Sequence, residues 1–408
     1  MAVRNRVIAE RVQEAIDCSG MKKQHIAANI GANYKDFCRW VAGGRPFEIH
    51  ALVDVSEMLG LPKDHFLKDF LRDCWDAPRD KPQRIKEFLI YTKVAKLNEY
   101  TTEMIDLLLE SGKQLDILVA AGVQLEGRGL PNDALYFYET VIDNERNRLA
   151  ECLALSYYRR FMIVRDWDMD YAFEAATKLG EHVRSLPDDL LFEAYVNITA
   201  VFYVLDKWDH LIKYGNEVCG ILEMTKKENV RLYAKFMAHL GFAYRKKGLY
   251  SKATETEEKC RELGDSQISR WADMNACLTA IEAGEYDKTY ELIEFMKKYR
   301  EDAPNNLDHV LKAFHDQKNY REMEWILSLF PQEFKCLFEK KDPYHSKKSI
   351  RVKCYIAELY FHENKYTVAM DLLLESLATA KKLRLTNQVN ECADIIFKNS
   401  KIFTTFVD

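Results

Sequence analysis

From Arg84 onward one local pattern keeps returning: a short turn, an aromatic residue, and a small residue three positions later. Gly248, Tyr250 and Ala253 are echoed by Gly284, Tyr286 and Thr289. Asn364, Tyr366 and Ala369 repeat the shape, Lys318 and Tyr320 carry its first half, and Trp167 and Trp208 stand at equivalent turns. The aromatic anchors at 167, 208, 250, 286, 320 and 366 are spaced 41, 42, 36, 34 and 46 residues apart. Between the turns, apolar residues recur with a helical period and almost never alternate with a period of two. Each repeat therefore reads as two helices joined by a tight turn. One such pair cannot bury its apolar face alone, so successive pairs must stack on one another. The fold class this predicts is all-α. Gly (16) and Pro (9) are scarce among 408 residues, as helix interiors require.

The repeats resemble degenerate tetratricopeptide repeats, which implies a superhelix with a concave face. Ahead of them the pattern changes. Helices are expected at 7–18, 22–29, 34–42 and 47–59, four in about sixty residues. Asp76 to Pro82 then packs two prolines and four charges into seven residues, a poor helix interior and the best boundary in the chain. The expected organisation is a helix-turn-helix domain over 1–62, a linker helix and linker over 63–83, a repeat domain over 84–385, and a capping or dimerisation segment over 386–408.

The N-terminal domain carries the sharpest local motif. Val7, Ile8, Val12, Ala15 and Ile16 share one face of the first helix. Ala27 is small enough for a close helix crossing, Gly31 suits a tight turn, and Asn33 can cap the third helix. Ile26, Ile30, Phe37 and Trp40 would fill the core. That leaves Tyr34, Lys35 and Arg39 on the outer face of the third helix, where base edges are read. Lys22, Lys23 and Arg45 are placed to meet phosphates. Residues 1–45 hold eight Lys/Arg against four acids, a net of +4, although the whole chain carries −5. A basic end on an acidic body suggests that any contact with an anionic polymer is made by that end; with the outer face of the third helix, the expected partner is double-stranded DNA. The alternative is a helical cap whose basic residues are solvated surface.

Other chemistries find little support. The ten cysteines are scattered, the closest pair lying 17 apart, so neither a zinc site nor a redox pair is signalled and buried reduced thiols are expected. Gly122, Gly127 and Gly129 have a phosphate-loop flavour, but no Lys-Ser/Thr follows, and they read as a helix end and a loop. No GxSxG or HExxH occurs, so no enzyme, metal or cofactor is expected. No apolar run suits a signal peptide or a membrane span, and the chain is expected in the cytoplasm.

Residues 21–43 resemble Xre/Cro-type helix-turn-helix segments. Together with the repeats they resemble the peptide-sensing receptors of Gram-positive bacteria and their phages (the RRNPP type), and most closely the arbitrium receptors of Bacillus phages. Phe37 to Glu48 is similar to those receptors' turn after the recognition helix; Leu67–Phe70, Lys86–Tyr91 and Met104–Leu108 are similar to their linker region. The resemblance implies a short signalling peptide on the concave repeat face, a homodimer, and control of the choice between lysis and lysogeny. Asn197 and Arg231 look like the receptors' amide and arginine positions, the first for the peptide backbone, the second for its C-terminal carboxylate. Asp273 and Asn275 lie one repeat later, where a carboxylate would hold a basic peptide side chain, and Glu358 is a further candidate. Each also has a plain alternative as a surface or capping residue. Val389, Cys392 and Ile395 form an apolar stripe, joined by Ile396, which a partner copy would cover. A protein-interaction scaffold with a basic docking domain, or a cellular quorum-sensing regulator, is the rival reading.

Overall fold

A computed structural model describes residues 6–76, 81–111, 114–225 and 228–404. These form twenty-three α-helices and two short 3-10 segments, with no strand among the described residues. Contacts gather into two compact units, Met1–Arg160 and Phe161–Asp408. The division falls within a stretch expected to be one repeat domain. Of the expected linker, residues 77–80 lie outside the described residues.

The first unit opens with α1 (Arg6–Ser19), α2 (Lys23–Asn29), α3 (Tyr34–Val41), α4 (Ile49–Met58) and α5 (Leu67–Asp76). Gly31 turns the chain between α2 and α3 at φ +67°, a conformation that costs other residues dearly. Asn33 then caps α3, its side chain accepting the Lys35 backbone N–H at 2.9 Å. Ile8, Val12, Ile16, Ile26, Ala27, Phe37 and Trp40 are buried. Phe47, which the sequence pattern does not single out, completes this core, 5.7 Å from the Trp40 ring and edge-on to Phe37. Three expected core residues differ: Val7 is 58% exposed near the start of α1, and Ala15 and Ile30 are only half-buried.

The unit continues through α6 (Lys81–Val94), α7 (Asn98–Glu110), α8 (Asp116–Gly127) and α9 (Pro131–Asn144). Arg84 and Asp73 form a buried ion pair at 2.7 Å between α5 and α6, beside the stacked rings of Phe70 and Phe88. Gly122 lies in the middle of α8, and any Cβ there would run into the Tyr138 ring. It is a packing glycine.

The second unit follows α10 (Glu151–Val164), inside which the division falls. Its helices are α11 (Met169–His182), α12 (Asp188–Val204), α13 (Trp208–Leu222), α14 (Val230–Lys246), α15 (Tyr250–Arg261), α16 (Ser266–Glu282), α17 (Lys288–Lys298), α18 (Leu307–Asp316), α19 (Tyr320–Leu329), α20 (Pro331–Glu339), α21 (Pro343–His362), α22 (Tyr366–Lys382) and α23 (Thr386–Thr404). Trp208, Tyr250, Tyr320 and Tyr366 each open the second helix of a pair. Ala253, Thr289 and Ala369, three residues after their anchors, are fully buried where that helix meets its partner. This is a helical-repeat array, as the spacing requires.

The array closes on itself. α14 lies between α12 and α16, while α21 touches both α18 and α12. The Lys347 ammonium on α21 donates to Asp206 at 2.6 Å and to the Tyr203 carbonyl at 3.1 Å. Asn387 donates to the other Asp206 oxygen at 3.0 Å, and Arg384 donates to Asp170 at 3.0 Å.

The end of the chain departs from expectation. Cys392 and Ile395 are buried within the chain, where α23 packs on α21 and α22 and the Cys392 sulfur lies 3.6 Å from that of Cys354. Val389 and Ile396 are half-buried. The stripe expected to await a second copy is largely covered already, because α23 completes the preceding repeat. Among the described residues of α23, Phe397 is 73% exposed.

Small residues set the helix spacing in this unit. A Cβ on Gly180, in α11, would run into the Tyr214 ring, itself buried. Gly180→Ala should therefore destabilise by about 1–3 kcal/mol through overpacking, outweighing the roughly 1 kcal/mol that alanine contributes to an isolated helix. Urea unfolding measures it, and a stabilised variant would refute the close approach.

Candidate functional site

One face of α14 presents Arg231, Lys235, Ala238, His239, Phe242 and Arg245, a spacing that follows the helical period. Opposite stand Trp271, Met274, Asn275 and Leu278 of α16. Tyr203 of α12, Asp302, Asn305 and Asn306 just before α18, His309 within it, and Tyr344 and Lys348 of α21 complete the wall. Together they line a cavity of about 510 Å³, the size of a small-ligand or peptide side-chain pocket.

Its floor is aromatic. The Phe242 ring lies 4.7 Å from Tyr203, 5.6 Å from Trp208 and 6.0 Å from His309. Arg245 and Lys246 each stand 5.2 Å from the Phe242 ring centre, within cation–π range.

Around that floor most buried charges are matched. Lys246 bonds Glu282 at 2.8 Å, Arg245 lies 3.6 Å from Glu257, and Arg351 lies 3.3 Å from Asp308. Burial alone would raise Asp308, but His309, Lys348 and Arg351 outweigh it and hold it at about 2. Burial likewise opposes ionisation of Glu282, and the bond to His309 with the Lys246 charge brings it well below the usual carboxylate range. His309 is lowered by burial, against the pull of Asp308 and Glu282. His239 is pushed down to about 4 by burial and by Lys235.

Three cavity cations are unmatched. Arg231 and Lys235 have no ion-pair partner among the described residues, and Lys348, 4% exposed, donates only to the Asn305 carbonyl at 2.8 Å. Nε and Nη2 of the buried Arg245 also lack hydrogen-bond partners. Asp302, the one acid in the wall, is held by Arg270 at 2.9 Å.

Of the residues singled out in the sequence, Arg231 and Asn275 meet in this cavity. Asn275 receives Nη1 of Arg245 at its carbonyl, 3.0 Å, and donates its amide to the Trp271 carbonyl at 2.9 Å. Asn197 is not in the wall; it accepts from Arg165 and donates to the Glu193 carbonyl at 2.9 Å. Asp273 turns the other way, into a shallow depression with Lys288 and Glu291, and pairs with Arg261 at 2.7 Å. Glu358 is also spent elsewhere: it bonds His315 and, at 2.9 Å, Lys398. The sequence reading missed Lys235, His239 and Phe242, although their spacing from Arg231 was legible. Lys348 could not be found that way, since only the closure of the array brings α21 to α14.

The second candidate surface is α3. Tyr34 is 49% exposed, and Lys35 and Arg39 are exposed beside it. Arg39 lies 3.4 Å from Asp36, and Arg45 bridges Asp36 and Glu48 at 3.7 and 3.5 Å. Such exposed pairs are weak and yield readily to a polyanion. Lys22 is exposed and Lys23 half-buried. Among the described residues no cluster could hold a metal ion, and no helix is long and apolar enough to cross a membrane.

No family model matches the chain, and no curated protein matches it. Among solved structures, a Rap protein complexed with competence and sporulation factor is similar at TM-score 0.32 and 12% identity, over 92% of this chain and 100% of that one. A circular tandem repeat protein with novel repeat topology is similar at TM-score 0.20 and 13% identity, over 100% of this chain and 98% of that one. Likenesses at these scores establish neither fold nor function.

His239 gives the cavity a pH signature. Its folded pKa, about 4, lies below the ordinary 6.5, so between those values the unfolded chain binds a proton that the folded chain does not. Stability then falls as pH drops from 6.5 to 4. His239→Gln should flatten that part of the curve in urea unfolding; an unchanged slope would show that His239 titrates normally.

Proposed function

We propose that the chain is a peptide-responsive DNA-binding regulator: the cavity takes a short peptide and α3 reads duplex DNA. The observation that carries the first half is the cavity wall. Unmatched Arg231 and Lys235 stand one helical turn apart, beside Asn305 and the amides of Asn275 and Asn306, which already donate to the Trp271 and Asp302 carbonyls, and over an aromatic floor. A carboxylate suits the cations, side-chain amides suit a peptide backbone, and the rings suit apolar side chains. No nucleophile–base pair stands in the wall that would favour a reaction over binding. For the second half, support comes from the capped, exposed α3 with Tyr34, Lys35 and Arg39 at its surface and from the local charge of +4.

The finer reading is an arbitrium-type receptor whose peptide shifts the lysis–lysogeny choice by favouring one of two DNA-binding states. Its support is the resemblance of residues 37–48 and of the region after them. A ligand acts on such an equilibrium only through its different affinity for the two states.

Two measurements test the proposal. A randomised pool of hexapeptides with free C-termini, passed over the full chain, should leave a retained set whose affinity Arg231→Ala lowers by about 2–5 kcal/mol. In duplex selection, a preferred sequence should emerge, and Lys35→Ala or Arg39→Ala should weaken its binding by about 1–3 kcal/mol. A chain that retains no peptide, or an operator indifferent to both α3 variants, would overturn the corresponding half.

A further inference from the structure

We infer that the ligand of this cavity is an acidic peptide, carrying at least one Asp or Glu side chain in addition to its C-terminal carboxylate. This rests on the peptide reading above and deepens it. The residues expected from the sequence to hold a basic side chain, Asp273 and Glu358, are turned away and paired with Arg261 and with His315 and Lys398. What remains in the wall has the opposite sign.

Each acid near the cavity faces a cation of the chain, although Oδ2 of Asp302, Oδ1 of Asp308 and Oε2 of Glu257 accept no hydrogen bond. Glu257 faces Arg245, Glu282 faces Lys246, Asp302 faces Arg270 and Asp206 faces Lys347. Asp308 contacts Arg351 directly and acts on Lys348 only through its field. Arg231, Lys235 and Lys348 are left over. Two like charges at i and i+4, as in Arg231 and Lys235, repel each other on a helix. A nearly buried ammonium with a single carbonyl acceptor, as in Lys348, carries a desolvation cost that the Tyr344 ring 4.8 Å away recovers only in part. The idle Nε and Nη2 of Arg245 belong to the same wall. One carboxylate between Arg231 and Lys235 would relieve the first pair and leave Lys348 unanswered. Lys348 stands on a different helix from that pair, in the same cavity wall, and a second anionic group of the same ligand would meet it.

The test uses the full chain and the randomised hexapeptide pool, with the retained peptides sequenced by mass spectrometry. Asp and Glu should be enriched over Lys and Arg at one or more positions. Calorimetry with the best retained peptide and its Glu→Gln or Asp→Asn counterpart should show roughly thirtyfold weaker binding for the neutral version. In Lys348→Gln that ratio should fall towards one. Lys235→Gln, an exposed position, serves as the second variant if the buried substitution unfolds the chain, and it should lower affinity for both peptides. Retained peptides that are neutral or basic overturn the inference and leave the peptide reading standing. No retained peptide of any charge overturns both, and a ratio unchanged in Lys348→Gln overturns the role given to that lysine.

Discussion

Four ion pairs, buried or nearly so, tie the inner helices of the second unit together: Arg245 with Glu257, Lys246 with Glu282, Arg351 with Asp308, and Lys347 with Asp206. Three join two different helices, and the fourth joins α21 to the turn between α12 and α13. Removing such charges from water costs several kcal/mol per ion, which mutual attraction only partly recovers. Their worth lies in geometry, because a mispaired arrangement would strand a charge in a dry interior. The pairs fix which helix faces which, and they use up the acids near the cavity. Its cationic wall follows from that pairing.

The aromatic floor depends on the same arrangement. Lys347 stands 5.6 Å from the Tyr203 ring centre and 5.5 Å from that of Trp208, and Lys348 lies 4.8 Å from that of Tyr344. Ring faces stabilise cations more when water is excluded. Tyr203 contributes both its ring and its backbone carbonyl, so one residue at the end of α12 serves the floor and the closure together.

The helices were legible in the sequence because their signals are local. Asn33 caps, Gly31 turns, and Tyr250 and Ala253 mark a repeat through neighbours a few positions away. The first helix of each pair is also recognisable, and Arg231 and Asn275, named from it, line the cavity. Direction on those helices was harder. Asp273 and Asn275 are two residues apart, so they point to different sides of α16, and grouping them was an error that the helical period itself exposes. Asn197 failed for another reason: its amide is drawn to Arg165, a partner 32 positions away. The C-terminal stripe is legible as apolar, but its pattern does not show that α23 buries much of it against α21 and α22.

Repeat arrays usually behave as one-dimensional stacks, in which each unit answers only to its neighbours and folding can start anywhere. The clasp between α21 and α12 breaks that rule. Its contacts join residues 141 and 144 positions apart, and the bond from Arg384 to Asp170 spans 214. Contacts of such separation form late, after the intervening chain has surrendered its freedom. The last repeats therefore stabilise the first ones directly, and the unit should melt as a single cooperative body instead of fraying from its ends.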